Sequence, residues 1–494
     1  MALAKNWTGQ AVTILGLSRS GVSAAKYLHR HGAACFLSEM LPASPGNESA
    51  RNLLAELGIP FETGGHSEQC YTHASQVVVS PGIPPTSPVL QTLHQSGSQL
   101  MSEVELGYQC SRPTPIIGIT GTNGKTTVTT LIGRILEASG RHAPTCGNIG
   151  RPVIDVIDEA EISQNAPDAL VVELSSYQLA FSSTFRADIA VLTNFRPDHL
   201  DWHGSLEAYR NAKLSLFTGP RSPQWAIIPA QDPIGVDVER ASHAKLLWFA
   251  TDPDAVRQYT NKAFVTENGT LSVVWHDEQG QAQELNAGNV EKLKILGKHN
   301  QENALMAAAV AAIYGVPESV IAQQLQEFSG VPHRLELINT INASAFYNDS
   351  KATNVDSAIS ALTAFTHTPV VWIAGGRDKM TDLQPLIPIL KQHAHAIVLL
   401  GEAKERFQKT FAQAGIHSIF NAQTLQEAVE IAFQQAQQNS LNKSLPILFS
   451  PACASFDMFT NFEVRGEAFK AAVFNLNQQL LAKHQGKALE HTAL

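Results

Sequence analysis

The sequence predicts an α/β protein of three domains, each built on a mainly parallel sheet. Three observations predict it. Short runs rich in Val and Ile alternate with amphipathic helical stretches along nearly all of the 494 residues. That length exceeds what one hydrophobic core usually serves. The alternation also breaks twice at Pro- and Gly-bearing stretches, QCSRPTP (109 to 115) and FSGVPHR (328 to 334), which sets expected domains at 1–112, 113–330 and 331–494.

The first domain reads as strand AVTILGL (11 to 17), a helix from Gly21 to His31, then strands ACFLSE (34 to 39) and QVVVS (76 to 80). GLSRSG (16 to 21) occupies the place of a dinucleotide fingerprint, with Ser18 where the middle glycine would be. This weakens the case for NAD. It still leaves a helix N-terminus, with backbone and hydroxyl donors, for a pyrophosphate. SPGIPP (80 to 85) makes a rigid turn at the same expected edge.

The second domain opens with strand IIGIT and the stretch GITGTNGKTT (118 to 127). Ile119 stands where the general phosphate-loop pattern has its first glycine. Gly124, Lys125 and Thr126 nevertheless supply close backbone approach, a charge for β- and γ-phosphates, and a hydroxyl for Mg²⁺. Val128, Leu131, Ile132, Ile135 and Leu136 then recur at helical spacing up to Gly140.

Three metal-ligand candidates follow. Glu173 ends an apolar strand in LVVELSSYQL, and His199 lies in the polar loop NFRPDHLDWH; each alone reads equally as a solvated loop residue. Lys213 falls on the apolar stripe of SLEAYRNAKLSLF, a helix expected from the Ser205 cap to Gly219–Pro220, with Leu206, Tyr209, Leu216 and Phe217. It is either a lysine that snorkels past apolar surface or a buried amine kept for chemistry.

Further along, AFVTENGTLSVVW predicts an antiparallel insert turning through a type I′ pair at Asn268–Gly269. In GKHNQENALMAAAV, Asn300 and Asn303 can face one adenine edge, although Asn300 reads equally as a helix cap. Arg334 at the last junction suits phosphates or plain solvent. The third domain has strands in FYNDS, VVWIAGG, AIVLLG and ILFSPA. Loops NDSKATN, GGRDK and SPACASFDMFTNFEVRG place Lys351, Thr353, Lys379 and Ser455 where a small dicarboxylate could bind.

Composition excludes several classes. A net charge of -9 without a Lys/Arg cluster argues against a nucleic-acid binder. Five scattered cysteines without a C-x-x-C pair fit neither a disulfide framework nor a zinc site, so a reducing cytoplasm is expected. The polar N-terminus and the lack of long apolar runs predict no membrane anchor.

Taken in order, GITGTNGKTT, ELSSYQL, NFRPDHLDWH, the A-K-L around Lys213 and HNQEN resemble the Mur ligase family, whose loop G-x-x-G-T-N-G-K-T/S-T makes Ile119 regular. NDSKATN and SPACASFDMFTNFEVRG resemble its D-glutamate-adding branch. The resemblance implies Rossmann-like N- and C-terminal domains around a central P-loop ATPase domain. It also implies an ATP-dependent amide ligase that adds D-glutamate to UDP-N-acetylmuramoyl-L-alanine through an acyl phosphate, in cytoplasmic peptidoglycan precursor synthesis.

The roles it implies are specific. Lys125, Glu173, His199 and Lys213 would be catalytic, with Thr126 and Glu173 on one Mg²⁺, and His199 and a carbamylated Lys213 on a second. Thr122, Asn123, Gly124, Lys125, Thr126, Thr127, Val128, Asn300, Asn303, Arg334 and Asp349 would bind ATP. Leu17, Ser18, Ser38, Ser80, Gly82, Asn148 and Ser175 would bind the UDP-substrate. Thr353, Lys379, Ser455, Phe456 and Phe462 would bind D-glutamate. The expected partners are these small molecules, with no nucleic acid or membrane, and a monomer is expected. Two other readings stay open: a related ligase for another amino acid or a folate, and a non-catalytic ATP-switched binding protein.

Overall fold

The computed structural model describes residues 6–44, 47–72, 74–111, 114–365, 368–438 and 444–492. Its β-branched runs lie in strands buried on both faces, as parallel strands flanked by helices require. The first sheet holds β1 (Ala11–Leu15), β2 (Ala34–Glu39), β3 (Phe61–Thr63), β4 (Gln76–Val79) and β5 (Gln99–Ser102). All pairs are parallel in the order β3-β2-β1-β4-β5. The order reverses between β1 and β4, which opens a crevice at the carboxyl ends of the strands.

The second sheet holds β6 (Ile116–Thr120), β7 (Thr145–Gly147), β8 (Leu170–Glu173), β9 (Ile189–Leu192), β10 (Trp225–Pro229) and β11 (Lys245–Phe249), followed by β12 (Lys262–Val265), β13 (Thr270–His276) and β14 (Ala282–Asn289). Its order is β14-β13-β12-β11-β10-β9-β6-β8-β7, and only β12–β13 and β13–β14 are antiparallel. The expected antiparallel insert is therefore present, but its turn is not type I′. Gly269 alone is left-handed, at φ 79°. Its N–H bonds Thr266 O at 2.9 Å, and Thr266 N–H bonds Thr270 O at 2.8 Å. That is a type I turn closed by a glycine bulge, which frees Asn268 from positive φ.

The third sheet holds β15 (Glu336–Ile341), β16 (Ser344–Asn348), β17 (Val370–Gly375), β18 (Ala394–Leu400), β19 (Ile419–Asn421) and β20 (Ile447–Phe449), in the order β15-β16-β20-β17-β18-β19. Only β15–β16 is antiparallel. There the two-residue turn is Asn342–Ala343, both left-handed at φ 46° and 64°. Left-handed alanine is strained by about 1 kcal/mol. Ala343→Gly should therefore raise stability by about that amount in urea unfolding, because this exposed site gains nothing from a Cβ.

The chain divides into two compact units, Met1–Lys292 with Glu302–Gln326, and Leu293–Gln301 with Glu327–Leu494. The first two sheets fall within the first unit and share one apolar core that runs from Trp7 to Val256. Three α/β domains are thus present as expected, with the first two fused through their interiors. Two carboxylates from the helix Glu103–Cys110 complete the junction. Glu105 accepts from the N–H groups of Thr184 at 3.1 Å and Phe185 at 2.9 Å. Glu103 Oε1 accepts from Ile154 N–H at 2.7 Å, at the start of the helix Val153–Ser163, while its Oε2 is buried without a hydrogen bond.

Burial pushes the Glu103 carboxyl from its usual 4.5 up to about 7. A raised carboxyl pKa gives stability that is full below about 4.5 and lost as pH rises through about 7, amounting to about 3 kcal/mol at 1.36 kcal/mol per unit. Glu103→Gln keeps an acceptor for Ile154 and cannot ionise. The expected outcome is that wild type loses stability across this window and the variant does not, read from unfolding midpoints at each pH.

The helix expected to run to Gly219 is shorter, Leu206–Leu214, because the chain leaves the helix after Leu214 and buries Leu216 and Phe217 from the following turn. Its Ser205 cap is as expected, accepting from Ala208 N–H at 3.1 Å. Of the expected linker 109 to 115, Cys110 ends a helix, while Arg112 and Pro113 lie outside the described residues. Among the described residues no helix is long and apolar enough to cross a membrane.

Candidate active site

β6 carries the chain, fully buried, to Thr120, and four residues then turn it into the helix Lys125–Ala138. Two of the four must be glycine. Gly121 lies at φ +138°, and a Cβ there would stand 1.9 Å from Thr193 Oγ1; Gly124, at φ +88°, would meet Asn303 Oδ1 at 2.6 Å. Asn123 O accepts from Thr193 Oγ1 at 2.6 Å and Asn194 Nδ2 at 3.1 Å. Thr122 Oγ1 accepts from Arg196 N–H at 3.0 Å and lies 2.9 Å from the Tyr209 hydroxyl. So braced, the loop presents a helix N-terminus to an anion.

Two amines meet on this loop. Lys125 Nζ donates to Gly121 O at 3.0 Å and Thr122 O at 2.8 Å, and Lys213 Nζ donates to the same Gly121 O at 2.6 Å. Lys213 is 1% exposed and lies 4.6 Å from the centroid of the Tyr209 ring. Burial first, and then the Lys125 charge, push its pKa well below the lysine range, against the pull of Asp198 and Glu173. It is therefore a buried amine and not a snorkelling one, and burial works against its charged form.

Glu173 closes β8 at 1% exposure. Its Oε1 accepts from Asn148 Nδ2 at 2.8 Å, whereas Oε2 is buried and makes no hydrogen bond. An orphaned carboxylate oxygen beside a phosphate loop fits a hard cation such as Mg²⁺, which takes oxygen ligands. His199 is left-handed, at φ 54°, with Nδ1 2.7 Å from the Tyr177 hydroxyl and Nε2 3.6 Å from Asp198 Oδ2. Burial, followed by the charges of His199 and Lys213, pushes neighbouring His203 down to about 4. Lys125, Glu173, His199 and Lys213 thus share one electrostatic neighbourhood.

The crevice of the first sheet gathers most of the expected UDP-substrate residues. Leu17 and Ser18 follow β1, Ser80 and Gly82 follow β4, and the hydroxyls of Ser18 and Ser80 share a hydrogen bond of 2.8 Å. Ser38, fully buried at the end of β2, turns its hydroxyl toward Glu62 and His66, 2.6 Å from each. Asn148 touches Glu173, and Ser175 caps the helix Ser176–Ala180. Of the adenine pair, Asn303 belongs to this unit and lies against Gly124.

The second unit holds the rest. Asn300 lies inside the helix Lys298–Ile313 and donates to Leu296 O at 2.7 Å, so it does not cap that helix. Arg334 lies between His333 and Leu335, both left-handed at φ 63° and 44°, a strain that proteins keep at functional loops. Its charge acts on Asp349, which burial pushes up to about 7 and whose Oδ2 accepts from Ser450 Oγ at 2.7 Å. β16, β20 and β17 are neighbours, so the loops after them lie side by side. They carry Thr353, buried Ser455 with exposed Phe456, and exposed Lys379, with Phe462 opening the last helix.

Several participants escaped the sequence reading. Asp198 adjoins His199, and Tyr209 was counted only as apolar filling although its hydroxyl braces Thr122. Glu39 ends β2 and accepts from Leu17 N–H at 2.7 Å, in the position where dinucleotide folds place an acidic residue; its distance from Gly21 was the available signal. Arg465, 3% exposed, ties two loops of the second unit together. A separate cavity of about 720 Å³, lined by Leu90, His94, Met101 and Phe181, shares no residue with the site.

Fold and site together define a multidomain P-loop nucleotide-binding protein. The chain belongs to the Mur ligase family. It matches the Mur ligase middle domain over residues 119–311, the Mur ligase glutamate ligase domain over 333–445, and the Mur ligase MurD-like N-terminal domain over 10–102. The UDP-N-acetylmuramoylalanine--D-glutamate ligase of Geobacillus sp. (strain WCH70) is 38% identical over 94% of this chain and 97% of its own. The ligase of the same name from Chloroherpeton thalassium is 38% identical over 95% and 98%. The fold is similar to that of Thermotoga maritima UDP-N-acetylmuramate-alanine ligase, with a TM-score of 0.55 at 17% identity, covering 94% of this chain and 99% of that one.

Proposed function

We propose that the chain joins D-glutamate to UDP-N-acetylmuramoyl-L-alanine with hydrolysis of ATP to ADP, a step in peptidoglycan precursor synthesis. A carboxylate does not condense with an amine in water unless it is activated. The γ-phosphoryl group therefore passes to the L-alanyl carboxylate, giving ADP and an acyl phosphate. The amine of D-glutamate attacks that carbonyl, the C–N bond forms, phosphate leaves with the C–O electron pair, and the amine loses a proton to solvent.

Lys125 and the loop N–H groups hold the phosphates. Asn300, Asn303, Arg334 and Asp349 serve the nucleotide, and Thr353, Lys379, Ser455, Phe456 and Phe462 the amino acid. Leu17, Ser18, Ser38, Ser80, Gly82, Asn148 and Ser175 serve the UDP-substrate. Domains at 1–112, 113–330 and 331–494 divide these tasks. Mg²⁺, when bound by Thr126 and Glu173 and at a second position by His199 and Lys213, supplies positive charge against the transferring phosphoryl group.

The observation that carries this reading is Lys213, a 1% exposed amine that shares the Gly121 carbonyl with Lys125. Its lone pair can attack CO₂, forming an N–C bond and releasing one proton. The resulting carbamate is anionic and suits a metal where an ammonium would repel it. A cytoplasmic location fits the five free cysteines.

The test is ADP and phosphate release with a panel of amino acids and the UDP-substrate present. D-Glutamate should drive it. Turnover with L-lysine, meso-diaminopimelate or a folate acceptor instead would overturn the substrate assignment, and no phosphate with any of them would leave an ATP-switched binding protein.

A further inference from the structure

Beside Ser38, which the proposed function gives to the UDP-substrate, three metal-ligating side chains with no part in that function converge at the carboxyl ends of β2 and β3. Glu62 on β3, His66 in the following turn and Cys70 in the helix Glu68–Tyr71 recur every four residues, and one ligand atom of each lies within 4.8 Å of the others. Cys70 is fully buried, while Glu62 and His66 are half-buried and form the side from which an ion would reach the thiol. Ser38 pairs with Glu62 across the two strands, and its hydroxyl is 2.6 Å from both Glu62 Oε1 and His66 Nδ1. The only other such cluster among the described residues, His31, Asp158 and Glu161, already has Arg30 paired with both carboxylates.

We infer that Glu62, His66 and Cys70 bind a divalent transition-metal ion of the zinc type, with the Ser38 hydroxyl as the fourth neighbour. The donor set selects the ion. One nitrogen, one oxygen and one sulfur suit Zn²⁺ or Co²⁺, whereas a thiolate ligand disfavours Mg²⁺ and Ca²⁺. Bond lengths of about 2.0 Å to N and O and 2.3 Å to S put tetrahedral donors about 3.5 Å apart. Ser67 N–H, which donates to Glu62 Oε1 at 3.0 Å, orients the carboxylate from behind. Binding displaces the thiol proton to solvent and leaves the thiolate on the metal. A search for C-x-x-C spacing misses this pattern, which reads E-x₃-H-x₃-C.

The test uses the full-length protein stripped of metal and titrated with Co²⁺. One equivalent should produce a near-ultraviolet thiolate-to-cobalt charge-transfer band with tetrahedral visible bands, displaced by Zn²⁺ and indifferent to excess Mg²⁺. Cys70→Ser should abolish the band. His66→Gln, which leaves the buried thiol in place, should weaken Co²⁺ affinity by about tenfold or more, and Cys453→Ser should leave the band unchanged. No thiolate band in the wild type, a band that survives Cys70→Ser, or a His66→Gln protein of undiminished affinity would overturn the site. The band is independent of the ligase reaction, because none of the proposed Mg²⁺ ligands is a cysteine.

Discussion

Lys213→Ala should lower D-glutamate-dependent ADP formation by about 10³-fold, the scale of removing one transition-state stabilising group. The loss should fall on kcat and leave the KM for ATP nearly unchanged. Lys125, which also donates to Gly121 O, keeps that carbonyl satisfied when Lys213 Nζ is gone. The loop glycines, Thr193 and Asn123 keep their geometry for the same reason. Formate or acetate at high concentration should restore part of the rate, because a small carboxylate can enter the vacated volume and present the oxygens that a carbamate would have offered. Lys213→Arg should not be rescued, since a guanidinium fills the space and keeps its charge. Full activity in the alanine variant would remove the carbamate from the mechanism.

The second large effect is expected at Arg465. Its guanidinium donates to Ser350 Oγ at 3.0 Å, Ser350 O at 2.7 Å, Cys453 O at 3.0 Å and Ala454 O at 3.1 Å. Burial pushes its pKa down to about 10, so it remains charged at neutral pH. The acceptors belong to the loops after β16 and β20, which carry Thr353 and Ser455. Arg465→Ala leaves the buried carbonyls of Ser350 and Cys453 without their donor, while Ala454 O keeps the Arg377 N–H at 2.9 Å, and should destabilise the second unit by about 3–5 kcal/mol in urea unfolding. Where the variant stays folded, the KM for D-glutamate should rise about tenfold or more, with ATP affinity little changed. Arg465→Lys should recover only part of both, because an ammonium cannot fork to two loops. An alanine variant with normal stability and a normal KM for D-glutamate would show that these loops hold themselves.

Much of this was readable in the residues alone, and the divisions have physical causes. Long buried strands such as β1, β6 and β17 are dense in β-branched residues, and the phosphate loop is a local pattern, so each stood out. β3, β7 and β19 are three residues each, too short to show any period. Asn268–Gly269 has the composition of a type I′ turn but forms a bulge, while Asn342–Ala343, where no hairpin was expected, forms the two-residue turn without a glycine. Tertiary pairing overrode local preference in both. Glu173, His199 and Lys213 were legible only as separate polar residues on apolar elements. Lys213 meets Lys125 on the Gly121 carbonyl and feels the charges of Glu173 and of Asp198, which adjoins His199; most of these relations span dozens of positions that no window along the chain contains. The fusion of the first two sheets was hidden for the same reason, since Glu103 and Glu105 look like an ordinary acidic helix start.

That acidic helix start bears on modularity. A fragment ending near residue 112 would retain Glu103 and Glu105 but lose the amides of Ile154, Thr184 and Phe185 that they grip. It would also bare the apolar wall that includes Val104 and Leu106. The opening hundred residues are thus a poor candidate for excision or for grafting onto another scaffold, and a swap between related chains should take the stretch through Val256 as one piece.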